Sequence, residues 1–419
     1  MNRIKLGKLI RKVEGNKNKQ LKDLPLLGIN IDKEFMPSVA NTIGTDMSNY
    51  QIVKREQFAC NPMHLGRDER MPTALLLNQD EILVSPAYFV FEVIDKNIIL
   101  PEYLMLYFKQ PETDRLLWFK TDSSVRGGLG WNELCDIEIP VPDLQVQKDI
   151  IRQYNQISDA IKVKEKLNNN LEQQAVCLFK NIFNDDFDCN ICRADEYFDI
   201  TIGKTPSRDD EDCFTTDTND VPWISIADMG KCSVYIDKTS EYLTQDAIKQ
   251  YSVKIIPANT VILSFKLTVG RLAITSKEMA TNEAIAHFKT QNSDIVEYLY
   301  CYLKTFKYRS MVSTSSIATA FNSKIVKAMP FKIPDEESLK KFNKGAKIIF
   351  KMIKANQFEM NSLNNLKDTL LPKLMLENSD SSTAKLSFII TKIIYIILKL
   401  FKIIRCFMIS CKFIFCPIS

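Results

Sequence analysis

Two segments of the chain repeat apolar residues at spacings of three and four for far longer than a globular domain requires. From about Leu144 to Phe183, the residues Ile157, Ala160, Leu167, Leu171 and Leu178 fall on one heptad seam, interrupted by Lys164 and Gln174. From about Glu336 to Leu376, Ile349, Met352, Leu363, Leu366 and Leu370 take the same heptad positions, with Asn356 and Glu359 as polar breaks. This period predicts a helix with one apolar stripe. At 1.5 Å per residue each helix is roughly 60 Å long, against a mean globular helix of about 11–12 residues. A single stripe of that length is unstable alone in water, so the two helices are each other's natural partner. The plainer alternative is that each packs on its own domain.

Elsewhere the pattern shortens to strands bounded by turn residues: Gln51–Val53, Ile82–Val84, Tyr88–Phe91, Val221–Ile226 and Thr260–Phe265. Helical periodicity returns at Glu102–Lys109 and Glu297–Lys304. These stretches reveal an internal duplication. Val141-Pro142-Asp143 recurs as Ile333-Pro334-Asp335, 192 residues on. Glu102-Tyr103-Leu104 with Tyr107-Phe108-Lys109 recurs as Glu297-Tyr298-Leu299 with Tyr302-Leu303-Lys304, 195 residues on. Between them Gly130-Trp131-Asn132 faces Ala320-Phe321-Asn322. A period this long exceeds any solenoid repeat, so each copy is a domain plus connector. The plan is a mixed α/β domain over 1–142, a long helix over 143–184, a second domain over 185–334 and a second helix over 335–378, with Asp185-Asp186-Phe187-Asp188 as the break between halves.

The net charge of +4 over 419 residues misleads. Six basic residues and no acids lie from Lys385 onward, leaving 49 basic against 51 acidic residues before it. A chain body so balanced binds nucleic acid only if its cations gather on one face. The 11 cysteines lack framework spacing and read as reduced thiols of a cytoplasmic protein, and the N-terminus lacks the continuous apolar core of a signal peptide. Cys189-Asn190-Ile191-Cys192 is the one CxxC, with no second pair to complete a zinc site.

Catalytic readings find little support. Asn61-Pro62-Met63-His64 lacks the second proline and the aromatic of an adenine methyltransferase loop. Gly203-Lys204-Thr205 has the tail of a phosphate loop, but Phe198 stands where the upstream glycine belongs. No acid-x-Lys pair suited to a metal nuclease occurs, and two histidines with no paired nucleophile serve hydrolysis poorly. Gly127-Gly128-Leu129-Gly130 lacks dinucleotide spacing and reads as a flexible loop.

Two unlike domains, each followed by a long helix at a Pro-Asp boundary, resemble the specificity subunit of type I restriction-modification systems. Ile202-Gly203-Lys204-Thr205-Pro206-Ser207, followed by Val221-Pro222-Trp223-Ile224, resembles the opening of many target recognition domains. Thr281-Asn282-Glu283-Ala284 is similar to their later Thr-Asn-Gln segment, with Glu for Gln. Phe58-Ala59-Cys60-Asn61-Pro62-Met63 and Val84-Ser85-Pro86-Ala87-Tyr88 resemble the other common variety of such domains. The resemblance implies duplicated α/β (α+β) target recognition domains joined by two long antiparallel coiled-coil helices. It implies double-stranded DNA with a bipartite site as ligand, and modification and restriction subunits as partners. The chain itself would be no enzyme and hold no cofactor or metal; S-adenosylmethionine, ATP and Mg would enter only through the partner subunits.

Basic and amide residues in turns are the candidate DNA contacts: Arg67, Arg70 and Arg126 in the first domain, and Lys204, Thr205, Arg208, Lys266, Arg271, Asn322 and Lys324 in the second. Taken singly, each reads more readily as a solvated surface group, and Trp131 and Phe321 read as core. Leu386–Ser419 departs from everything before it. Its three central cations cost about 2.5–3.5 kcal/mol each in a bilayer, while its many Ile, Leu and Phe return about 0.3–0.6 each, so insertion is marginal. An interfacial helix and a foreign segment joined to the fold are the other readings. The rival functions are therefore a membrane-associated helical scaffold, or a specificity subunit inactivated by its tail.

Overall fold

A computed structural model describes residues 3–21, 23–38, 44–63, 65, 69–121, 128–184, 189–311 and 321–376. The chain divides into two compact units, one formed by residues 1–159 with residues from 364 onward, the other by residues 160–363. Both long helices, Leu144–Ile182 and Glu336–Leu376, therefore run from one unit into the other. Pro372 lies near the end of the second helix, where only one backbone bond is lost to it.

In the first unit, strands Ile10–Lys12, Phe89–Val93, Phe58–Cys60 and Thr73–Leu75 form an antiparallel sheet in that order. Phe58 and Phe91 stack at 4.9 Å, and Phe108 of helix Pro101–Phe108 meets both edge-on. All three rings are fully buried, which ties helix to sheet through aromatic area. A buried ion pair adds a second tie. Lys33 Nζ lies 2.7 Å from Asp114 Oδ1, which also accepts from the Met71 amide at 3.1 Å. Burial pulls the Lys33 pKa down from its ordinary value, against the pull of Asp114.

In the second unit, strands Asp199–Ile202, Ile285–Lys289, Val261–Ser264, Leu272–Thr275 and Tyr235–Ile236 make a five-stranded sheet. Strand periodicity sends its residues to two cores. Val261, Leu263, Ile274 and Phe288 join helix Val296–Thr305 and the long-helix residues Phe179, Phe342 and Phe350. Ile262, Ala273 and Ile285 face the other way, towards Ile224, Ile226 and Met279. A four-stranded sheet of Phe214–Thr215, Glu241–Leu243, Val221–Ile224 and Ala280–Thr281 completes the domain.

The duplication has a physical basis in both domains. Each opens with a short strand paired antiparallel to the strand just before its long helix, Arg3–Lys5 with Glu138–Pro140 and Ile191–Arg193 with Pro330–Lys332. The repeated tyrosines secure that strand. Tyr103 and Tyr107 donate to the carbonyls of Pro140 (3.1 Å) and Glu138 (3.5 Å), and Tyr298 and Tyr302 to those of Lys332 and Pro330 (both 2.7 Å). The repeat thus keeps the parts that fix where each long helix starts.

One alignment in the repeat is corrected. Gly130 and Asn322 are both N-caps, of helices Trp131–Cys135 and Ser323–Lys327, so Phe321 corresponds to Leu129 and not to Trp131. Leu129 and Phe321 are both buried, whereas Trp131 is partly exposed with its ring edge-on to Phe89 at 5.6 Å.

The seam between the helices is also displaced from its expected course. Ile157, Lys164 and Leu171 are buried as one row, but the second row is Ile161, Asn168 and Ala175, one residue beyond Ala160, Leu167 and Gln174. The other helix shows the same slip. Asn356, Leu363 and Leu370 are buried, and the second row is Ile353 and Met360, whereas Met352, Glu359 and Leu366 are only half-buried. An apolar stripe is wider than one helix contact. Its flank, with Leu167, Leu178, Ile349 and Met352, packs against the core of the second domain instead. Each helix therefore serves its partner and its domain at once.

Polar groups occupy the centre of the seam. Asn356 Nδ2 donates to Asn168 Oδ1 at 2.9 Å, Asn168 Nδ2 to the Ile353 carbonyl at 3.4 Å, and Lys164 Nζ to Asn356 Oδ1 at 3.4 Å and to Glu359. Rising numbers on one helix meet falling numbers on the other, so within this unit the pair is antiparallel. Asn356→Leu strands the side-chain oxygen of Asn168 in a buried seam and is expected to cost about 1–3 kcal/mol, while Asn168→Leu/Asn356→Leu removes both partners and is expected to cost less. Urea unfolding of the purified chain, with Asn168→Leu alone as the second single variant, measures all three; a double variant as damaged as the sum of the two single ones would refute the pairing.

Candidate nucleic-acid interface

The strand registers of the second domain bring three sequence motifs to one end of its five-stranded sheet. Ile202 pairs with Ala286, Ser264 with Ile285, and Leu263 with Leu272. The turns that follow or precede these residues, 203–208, 265–271 and 281–284, are therefore neighbours. The Lys204 amide donates to the Thr281 carbonyl at 2.9 Å, and the Phe265 amide to that of Ala284 at 2.9 Å. Gly203 is required at the closest point. A Cβ there would lie 2.0 Å from Thr281 Oγ1 and 2.2 Å from the Asn282 carbonyl oxygen. The glycine admits a neighbouring backbone rather than a phosphate.

Each residue of the Thr-Asn-Glu-Ala turn has a distinct task. Thr281 is fully buried, with its hydroxyl 2.7 Å from Nε2 of His287, whose Nδ1 lies 3.0 Å from the Thr201 hydroxyl. Burial pushes the His287 pKa down to about 3, so this histidine is a neutral core group rather than an acid-base catalyst. Asn282 holds the turn by accepting from the Ala284 amide at 3.1 Å. Glu283 is exposed and takes a hydrogen bond from the Thr205 hydroxyl, which holds its carboxyl below the usual range. Trp223 Nε1 donates to the Lys204 carbonyl at 3.3 Å, tying the Val-Pro-Trp-Ile strand to the same turn.

The candidate contacts now divide. Lys204, Lys266 and Lys324 are exposed ammonium groups, and Thr205 is half-buried. Arg208 is engaged within the domain: its guanidinium pairs with Glu241, Nη2 to Oε2 at 2.9 Å, and stacks 3.8 Å from the centre of the Phe214 ring. Arg271 donates to the Ile226 carbonyl at 2.6 Å and covers Gly230. Asn322 caps its helix by accepting from the Lys324 and Ile325 amides. Sequence reading could not foresee these three tasks, since a polar residue in a turn serves equally as cap, strut or reader. Glu283, exposed at the same turn, is not among those candidates; its signal in the sequence is a carboxylate standing where the resemblance has an amide.

In the first domain, Arg70 is exposed, while Arg67 and Arg126 lie outside the described residues, as do His64 and the segment 377–419. The Leu129 amide donates to the Pro62 carbonyl at 3.1 Å, so the Asn61-Pro62 turn and the glycine loop are adjacent. Among the described residues no group of three or more His, Cys, Asp or Glu side chains could hold a metal ion. No helix among them is long and apolar enough to cross a membrane.

The type I restriction modification DNA specificity domain matches the chain twice, over residues 66–173 and 188–368. The chain is similar to the type I restriction enzyme HindI specificity subunit of Haemophilus influenzae, at 25% identity over 71% of this chain and 81% of that one. It is also similar to the MjaIX specificity subunit of Methanocaldococcus jannaschii, at 25% identity over 68% and 70% of the two chains. Among solved structures, the S subunit of a type I system from M. genitalium aligns over 90% of this chain and 96% of its own, with 14% identity and a TM-score of 0.45.

Proposed function

The chain belongs to the type I restriction-modification specificity family and has a DNA sequence-recognition role, and we propose that each of its two globular domains reads one half of a bipartite site. The observation that carries this reading is the double occurrence of the family's domain, each copy running on into one of the long helices. A domain with its own core can present its own set of base-edge contacts. A spacer of fixed length then holds two such sets in phase with a duplex that repeats every 34–36 Å.

In the second domain the sheet end bearing Lys204, Thr205, Lys266 and Glu283 is the proposed reading surface, with Lys324 as a further phosphate contact. Its lysines would hold the register on phosphates, while the groups between them meet base edges. Arg208, Arg271 and Asn322 would act indirectly, by stiffening this surface. In the first domain the exposed Arg70 and the Asn61–Met63 turn would serve as the counterpart.

The chain itself would perform no catalytic step. Modification subunits would supply S-adenosylmethionine and methylate adenine at the site selected here, and restriction subunits would supply ATP- and Mg-dependent cleavage. Mapping methylated adenines in cells with and without this gene tests the reading. A split motif, present only with the gene, is expected; an unchanged set of methylated sites would overturn it.

A further inference from the structure

We infer that Glu283 reads the N4 amino group of a cytosine in the half-site of the second domain, an assignment that rests on the reading surface proposed above. Thr281 and Asn282 are consumed in building their turn, and Glu283 is the member of the motif left exposed. It stands at the sheet end that carries Lys204 and Lys266. The Thr205 hydroxyl donates to its Oε2, which aims the side chain, and an ionised carboxylate with about four acceptor sites keeps capacity for a further donor.

A carboxylate in a surface that meets a polyanion is repelled unless it accepts a hydrogen bond from the nucleic acid. The major groove offers two such donors, cytosine N4 and adenine N6. Beside adenine N6 lies the N7 acceptor, which suits a carboxamide with its donor and acceptor and repels an ionised carboxylate. Cytosine carries no acceptor on its groove edge, so an acceptor-only group selects it. The hydrogen bond from Thr205 and the nearby Lys266 both favour the ionised form, so Glu283 offers no proton of its own. Arg208, bound to Glu241, does not compete for it.

The test compares methylated motifs in cells carrying the whole system with the wild-type chain or with Glu283→Gln. The wild-type half-site of the second domain, assigned by exchanging the first domain, is expected to contain a selected G·C pair. Glu283→Gln is expected to lower selection for its cytosine by roughly tenfold or more, with adenine gaining, while the other half-site and the spacing stay the same. A half-site with no selected G·C pair, or an unchanged motif in Glu283→Gln, overturns the assignment. Should that variant silence methylation, Glu283→Asp decides, since it keeps the charge but withdraws it by one methylene. Weakened selection at the same cytosine then supports the assignment, and undiminished selection overturns it. A wild-type chain that directs no bipartite methylation refutes the underlying reading instead.

Discussion

Exchange of residues 1–142 for the first domain of another specificity subunit is expected to replace one half of the methylated motif and leave the other half unaltered. The aromatic core of the first unit, built on Phe58, Phe91 and Phe108, belongs to that unit, and the second has its own around Phe198, Phe288 and Phe331. The junction is favourable because the helix side of it depends mostly on backbone. Gln147 accepts from the Leu100 amide at 2.9 Å and donates to the carbonyls of Ile98 (2.9 Å) and Pro142 (2.8 Å), groups that any incoming domain with the same turn provides. One side-chain contact must be watched. Gln110 donates to Met375 Sδ at 2.7 Å, so the graft should keep Gln at that place. Sequencing of methylated adenines reads the result; a change in both halves would refute independent reading.

Lengthening the spacer is expected to shift the motif as strongly, provided that both helices are lengthened. Each compact unit takes in part of both long helices, so an insertion in one alone would leave the other too short. Seven residues added after Lys162 and seven after Met360 preserve both seam rows, which repeat every seven positions, and keep Lys164, Asn168, Asn356 and Glu359 together. The addition is roughly 10 Å of helix. Both half-sites should persist with about three more base pairs between them, at about 3.4 Å each. The same insertion in the first helix alone should abolish methylation. An active double variant with the original spacing would show that the helices are not the ruler.

The long helices and the duplication were legible because both rest on patterns that recur along the chain. Heptad spacing marked the helices, and the repeated tyrosines marked the clamp on the strand before each. The seam was legible to within one residue. Asn168 and Ala175 do not look like core, and Leu167 and Leu178 do, because a sequence stripe does not reveal that one flank belongs to the domain. At the proposed DNA surface, charge and turn position singled out Lys204 and Lys266 together with Arg208 and Arg271. Only the distant partners Glu241 and Ile226, which no local pattern links to them, separate the two kinds.

The interrupted make-up of the first unit has a consequence for synthesis on the ribosome. Residues 160–363 form one unbroken unit, whereas residues 1–159 are completed by residues 364–376. The first unit to emerge therefore lacks its closing segment until about 200 further residues have been added, roughly 10–40 s at ordinary elongation rates. The second unit can close before the first, reversing the usual order from N- to C-terminus. Released chains that end at Leu363 should resist brief proteolysis in residues 160–363 more fully than in 1–159.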